Sequence, residues 1–125
     1  MIELLQRIFT QYYRKNGNKG GINIRFLVTV NQKYMVPPEV QIGLMDGSIA
    51  WARKYTASKK IEHSWGFAGM PAGGGVLNVN SIEELNQIMA ELPLGAVSET
   101  EIRPIMDMEE AINQAKKVMM SMVKK

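Results

Sequence analysis

Hydrophobic and polar positions alternate most clearly in "INIRFLVTV", where Ile22, Ile24, Phe26, Val28 and Val30 fall on one side and Asn23, Arg25 and Thr29 on the other. That period of two predicts a first strand covered by a core on one face. "VPPEV" follows, and proline is tolerated at a helix start, so a helix is predicted from Pro38 to Ser58. Its apolar face is expected to be Ile42, Met45, Ile49, Ala52 and Thr56, with Leu44, Trp51 and Tyr55 on a neighbouring stripe. Gly43 and Gly47 inside it each cost about 1 kcal/mol relative to Ala, which suggests close packing or space left for something small.

A second strand is predicted where Ile61, His63, Trp65 and Phe67 alternate, all four expected on the face toward the helices. "GMPAGGG" reads as the turn into a third strand, "VLNV". Ser81 with Glu84 three residues on is a capping box opening a second helix, whose buried stripe is Ile82, Leu85, Ile88, Met89 and Leu92. Pro93 ends it, "AVSETEIRPI" forms a fourth strand, and Asp107 with Glu110 caps a last, Met-rich helix. Ahead of all this, "MIELLQRIFTQYYRK" has helical spacing and "NGNKGG" stops it.

Residues 1–21 therefore form a helical leader and residues 22–125 one α+β domain of β-α-β-β-α-β order with a further C-terminal helix. This is the ferredoxin-like split βαβ arrangement, an antiparallel sheet with both main helices on one face. The other face is expected to carry Leu27, Thr29, Ala68, Ala96 and Ile102, apolar enough to invite dimerisation.

Charge and composition then remove function classes. The net charge of +3 resides in the leader (Arg7, Arg14, Lys15 and Lys19 against Glu3), and the rest is balanced. Nucleic acid is thus not an expected partner, because a binder concentrates basic charge on its folded domain. With no cysteine and one histidine, thiol chemistry is excluded and neither a metal nor another cofactor is expected. No apolar run approaches the roughly 20 residues of a membrane span, and a cytoplasmic setting is expected.

"AGGG" leads into a strand and not into a helix N-terminus, so the glycines are not a phosphate cradle. His63 on an aromatic strand face is either a half-buried packing residue or a proton-transfer group. Asp46, Glu99 and Glu101 are its possible partners.

The element order together with "EHSWGFAGMPAGGGVLNVNSIEELNQIMAELPLGAVSETEI" resembles the muconolactone isomerase family over Ile24 to about Ile105. The most specific parts are His63-x-Trp65, Ala68-Gly69, "V-x-V" before Asn80-Ser81, and Leu92-Pro93-Leu94. The resemblance implies a dimeric α+β barrel without cofactors that moves a proton within a small unsaturated lactone or related oxo-acid. On that basis His63 is the expected catalytic group. Trp51, Trp65 and Phe67 are expected walls of the substrate site, with Ser48 a further contact. The family carries acidic residues in the middle of its first helix, whereas Gly47 and Ser48 stand there in this chain. Asp46 beside them is the expected stand-in for the base, about 100° away around the helix. That departure favours a second possibility, a non-catalytic protein of the same fold that binds a small ligand or serves in oligomeric assembly. A cofactor-free monooxygenase is a third, by analogy of fold alone.

Overall fold

The computed structural model describes residues 24–123; the predicted leader helix lies outside the described residues. Four strands and three helices follow the expected order: β1 (Ile24–Gln32), α1 (Pro38–Ala57), β2 (Ile61–Gly66), β3 (Ala72–Val79), α2 (Ile82–Ala90), β4 (Ser98–Ile105) and α3 (Met108–Val123). A short 3₁₀ turn, Pro93–Val97, leads into β4, so the fourth strand starts two residues later than its sequence suggests. The sheet order is β2-β3-β1-β4 with every neighbouring pair antiparallel. The architecture is thus the ferredoxin-like α+β fold.

The alternation in β1 does what it predicts. Ile24, Phe26 and Val28 are buried, and their partners across the β1–β3 ladder are Val79, Leu77 and Gly75. Leu85 and Ile88 of α2, Tyr55 of α1 and Ile61 of β2 close over this inner face to complete the core. α2 begins as its capping box specifies: the Glu84 N–H donates to Ser81 Oγ at 3.1 Å. The Glu84 carboxylate reaches back to the Asn80 N–H at 2.8 Å and also accepts from Lys60 Nζ at 3.0 Å. Burial pushes the Glu84 carboxyl up, but these two donors outweigh it and hold the group below its ordinary range.

α1 turns a different side inward from the one its strongest apolar row suggests. Ile42, Met45 and Ile49 are exposed, while Trp51 and Tyr55 of the neighbouring stripe pack on the core. Two features fix that rotation. The Trp51 indole N–H donates to the Ile88 carbonyl at 2.8 Å, and the Tyr55 hydroxyl donates to Glu91 at 2.7 Å. Gly47 faces the 3₁₀ turn so closely that a Cβ there would lie 2.9 Å from Pro93 Cγ. Close packing therefore accounts for Gly47, and nothing lies within 4 Å of the same point on Gly43.

The glycine cluster is also relocated. Gly73, Gly74 and Gly75 belong to β3, and the turn is made by the residues before them, with Gly69 at φ +80° and the Phe67 N–H bonded to the Ala72 carbonyl. A Cβ on Gly73 or Gly75 would come within 2.6 Å and 2.9 Å of the Trp65 and His63 carbonyl oxygens. Glycine is required there by the close approach of β2, not by a turn.

Candidate functional site

Between the inner face of the sheet and α1 lies a cavity of about 350 Å³. Val28 and Val30 of β1 form part of its floor, beside Gly75 and Leu77 of β3. Those two glycine-opposed valines follow from the register: Val28 faces Gly75 and Val30 faces Gly73, so no β3 side chain fills the space under the helix. Trp51, Ala52 and Ser48 of α1 make the roof, Ile61, Ser64, Trp65 and Gly66 of β2 one side, and Met89 and Leu92 the other. Its volume sits at the small end of the roughly 300–1,000 Å³ typical of small-molecule sites.

The polar groups at this cavity are few. Ser48 Oγ accepts the Leu94 N–H at 3.1 Å, which ties α1 to the 3₁₀ turn and leaves the Ser48 hydroxyl hydrogen to point elsewhere. The Trp51 N–H is consumed by Ile88, so its ring serves the cavity as an apolar wall. Ser64 supplies a second hydroxyl. Among the described residues, no Asp, Glu, His, Lys, Arg or Tyr lines the space.

The expected site residues are divided by the fold. Ser48, Trp51 and Trp65 border the cavity. Phe67 does not; it lines an adjoining depression of about 400 Å³ that shares Val30, Gly66 and Leu92 with the first. Asp46 is exposed on α1 and lines neither. His63 is exposed as well, and the reason is a β-bulge.

Ile61 pairs with Leu77, but His63 pairs with Val76, so two β2 residues, Glu62 and His63, oppose one on β3. Val76 pairs with Leu27, on the face turned away from α1 and α2. Glu62 lies on that face too, where Arg25 Nε donates to its carboxylate at 2.9 Å. The expectation that His63 shares the helix-facing side with Ile61 is therefore corrected: one extra residue inverts the alternation. Beyond the bulge Ser64 opposes Gly75 on the inner face, and Trp65 opposes Gly74 on the outer one. The Trp65 ring lies over Gly74, whose Cβ would be 3.0 Å from the indole nitrogen. The same parity assigns Ile102, paired with Val28, to the inner face at the uncovered β4 edge, not to the outer face expected for it. Ala68 falls in the β2–β3 turn and Ala96 in the 3₁₀ turn.

The outer face collects the charges that the cavity lacks. Arg25, Glu62, His63, Glu99, Glu101 and Arg103 stand around a centre of Leu27 and Val76. Glu99 and Glu101 share the outer face with His63 but stand on β4, at the opposite edge of the sheet from β2, while Asp46 lies across the sheet on α1. Among the described residues, no three His, Asp or Glu side chains group so as to hold a metal ion, and no helix is long and apolar enough to cross a membrane.

Sequence reasoning reached the β1 contribution, Val28 and Val30, through alternation. It missed Ser64, because only an unbulged strand keeps period two. Met89 of α2 and Leu92 just beyond its end were legible as members of an apolar stripe, but nothing local marks them as cavity lining.

No curated protein matches the chain in sequence. Among solved structures it is similar to the crystal structure of muconolactone isomerase at 3.3 Å resolution. The TM-score is 0.62 and the identity 25%, over 66% of this chain and 88% of that one. The family model described as muconolactone delta-isomerase matches residues 24–111, from the first inward residue of β1 to the first turn of α3. The chain belongs to the muconolactone delta-isomerase family.

Proposed function

We propose that this protein binds a small, uncharged, largely apolar molecule in the cavity between the sheet and α1. The observation that carries this is the lining itself, fourteen residues without one ionisable side chain. A ligand carboxylate there would lose its hydration and meet no cation, which costs several kcal/mol by ordinary estimates. A ring with a single carbonyl or ether oxygen fits better, with Ser48 and Ser64 as donors and Trp51 as a flat wall. Proton transfer in such a cavity would have no base to use, so binding without turnover is the expected behaviour.

A cofactor-independent isomerase is the second reading, favoured by family membership and by the position of His63. His63 on β2 and Glu99 and Glu101 on β4 share the outer face from opposite edges of the sheet, either side of an apolar centre of Leu27 and Val76 of the kind found at interfaces. Isomerase chemistry would then need a site closed by a second copy across that face, the dimeric barrel arrangement.

Titration of Trp fluorescence with a neutral lactone and with the same ring bearing a carboxylate tests the first reading. Saturable binding of the neutral compound alone is expected, weakened at least tenfold by Ala52→Phe, which fills the roof. Equal binding of the acid would refute it. NMR of the lactone in heavy water tests the second: deuterium uptake lost in His63→Ala would make the protein an isomerase.

A further inference from the structure

α3 carries an apolar row that no other described element covers. Met108, Ile112, Ala115, Met119 and Met122 recur at spacings of four and three, a heptad seam. Met108 is 75% exposed, Ile112 58% and Met122 62%. Most of this helix lies beyond the residues that match the family, so the seam belongs to this chain and not to the shared domain.

Charge along α3 is polarised. Asp107, Glu109 and Glu110 stand at its start, and Lys116 and Lys117 in its later half. Glu109 and Lys116 are one heptad apart on the same flank of the seam, while Ala111 and Val118 occupy the other flank. In a parallel pair of helices, each flank meets the opposite flank of its partner, so these charges would face alanine and valine. In an antiparallel pair like flanks meet, which sets Glu109 of one helix beside Lys116 of the other and opposes the two helix dipoles.

We propose that α3 is an assembly surface whose partner is α3 of a second copy, packed antiparallel. Methionine-rich seams adapt to one another readily, which suits a contact between identical helices. The 16-residue helix is about 24 Å long. A seam of that length is short for a coiled coil, so concentration decides how far the pair is populated.

The natural chain has no cysteine, so single introduced thiols report directly. In the full chain, mixing Met108→Cys with Met119→Cys should give a disulfide-linked dimer under air, and Met108→Cys alone should give none. Self-linkage of Met108→Cys would mean a parallel pair and overturn the proposal. Linkage of Met119→Cys to Ile49→Cys in its place would make the exposed row on α1 the true seat, and also overturn it. No linkage in any mixture would do the same and leave the stripe to residues 1–21. A charge swap supplies the second test, by sedimentation over roughly a hundredfold concentration range. Glu109→Lys should weaken association and Lys116→Glu added to it should restore it; failure of the double variant to recover would rule out the antiparallel pairing. All four substituted seam and flank positions on α3 are exposed, so these changes leave the fold intact.

Discussion

The two faces of the sheet differ in kind. The inner face is apolar, packed beneath α1 and α2, and borders a cavity that no charged side chain among the described residues lines. The outer face carries the only histidine and five charged groups, Arg25, Glu62, Glu99, Glu101 and Arg103. A protein that does proton chemistry in its cavity would bring these together; this fold separates them by the thickness of the sheet. Stability and ligand shape should accordingly depend on the inner face, and assembly or catalysis on the outer one.

Phe26→Ala should break the inner face most severely. Its side chain is 3% exposed at the centre of the core, and such truncations cost roughly 3–5 kcal/mol. Chemical denaturation would read the loss, and a change below about 1 kcal/mol would mean that the core is not where the ladder puts it.

Trp51→Phe should cost less, about 1 kcal/mol, by removing the indole hydrogen bond to the Ile88 carbonyl, which keeps the Glu91 N–H at 3.2 Å. The same change keeps an aromatic wall, so ligand affinity should fall less than stability does. Fluorescence would have to be replaced by calorimetry for that variant.

Acid provides a third, smaller test. The Tyr55 hydroxyl first, and Lys54 second, hold the Glu91 carboxyl below its usual range against the opposing effect of burial. A carboxylate lowered in the folded state contributes stability that is present above its unfolded value, about 4.3, and is lost as pH falls through the folded one. Glu84 acts in the same direction. The melting temperature should therefore decline below about pH 4.3, and Tyr55→Phe should flatten that decline. An identical acid slope in both proteins would remove Tyr55 from the account of Glu91.

The outer face should respond least. Arg25–Glu62 is a partly exposed ion pair, and Arg25→Ala is expected to cost no more than about 1 kcal/mol. His63→Ala should leave melting within about 0.5 kcal/mol of the parent and leave ligand affinity unchanged. Loss of ligand binding in that variant would erase the distinction between the faces.

Sequence and structure agree where local chemistry is sufficient. Alternation of Ile24, Phe26 and Val28 identified the inner face, because side chains of a regular strand must alternate. Ser81 and Glu84 fixed the start of α2, because its unpaired N–H groups need acceptors at that spacing. These features need only a few neighbouring residues, and so the β-α-β-β-α-β order and the family were legible in the chain itself.

Three matters were decided by contacts between distant segments. The rotation of α1 follows from Trp51 and Tyr55 reaching α2, against the pull of its own most apolar row. The glycines of β3 became strand residues because β2 approaches them too closely for any side chain. The bulge at Glu62 and His63 turned the histidine from the cavity to the opposite face. A bulge adds one residue on one strand of a ladder, and its partner strand lies more than ten residues away. Periodicity along β2 alone therefore contains no sign of it, and only the paired sheet determines which way His63 points.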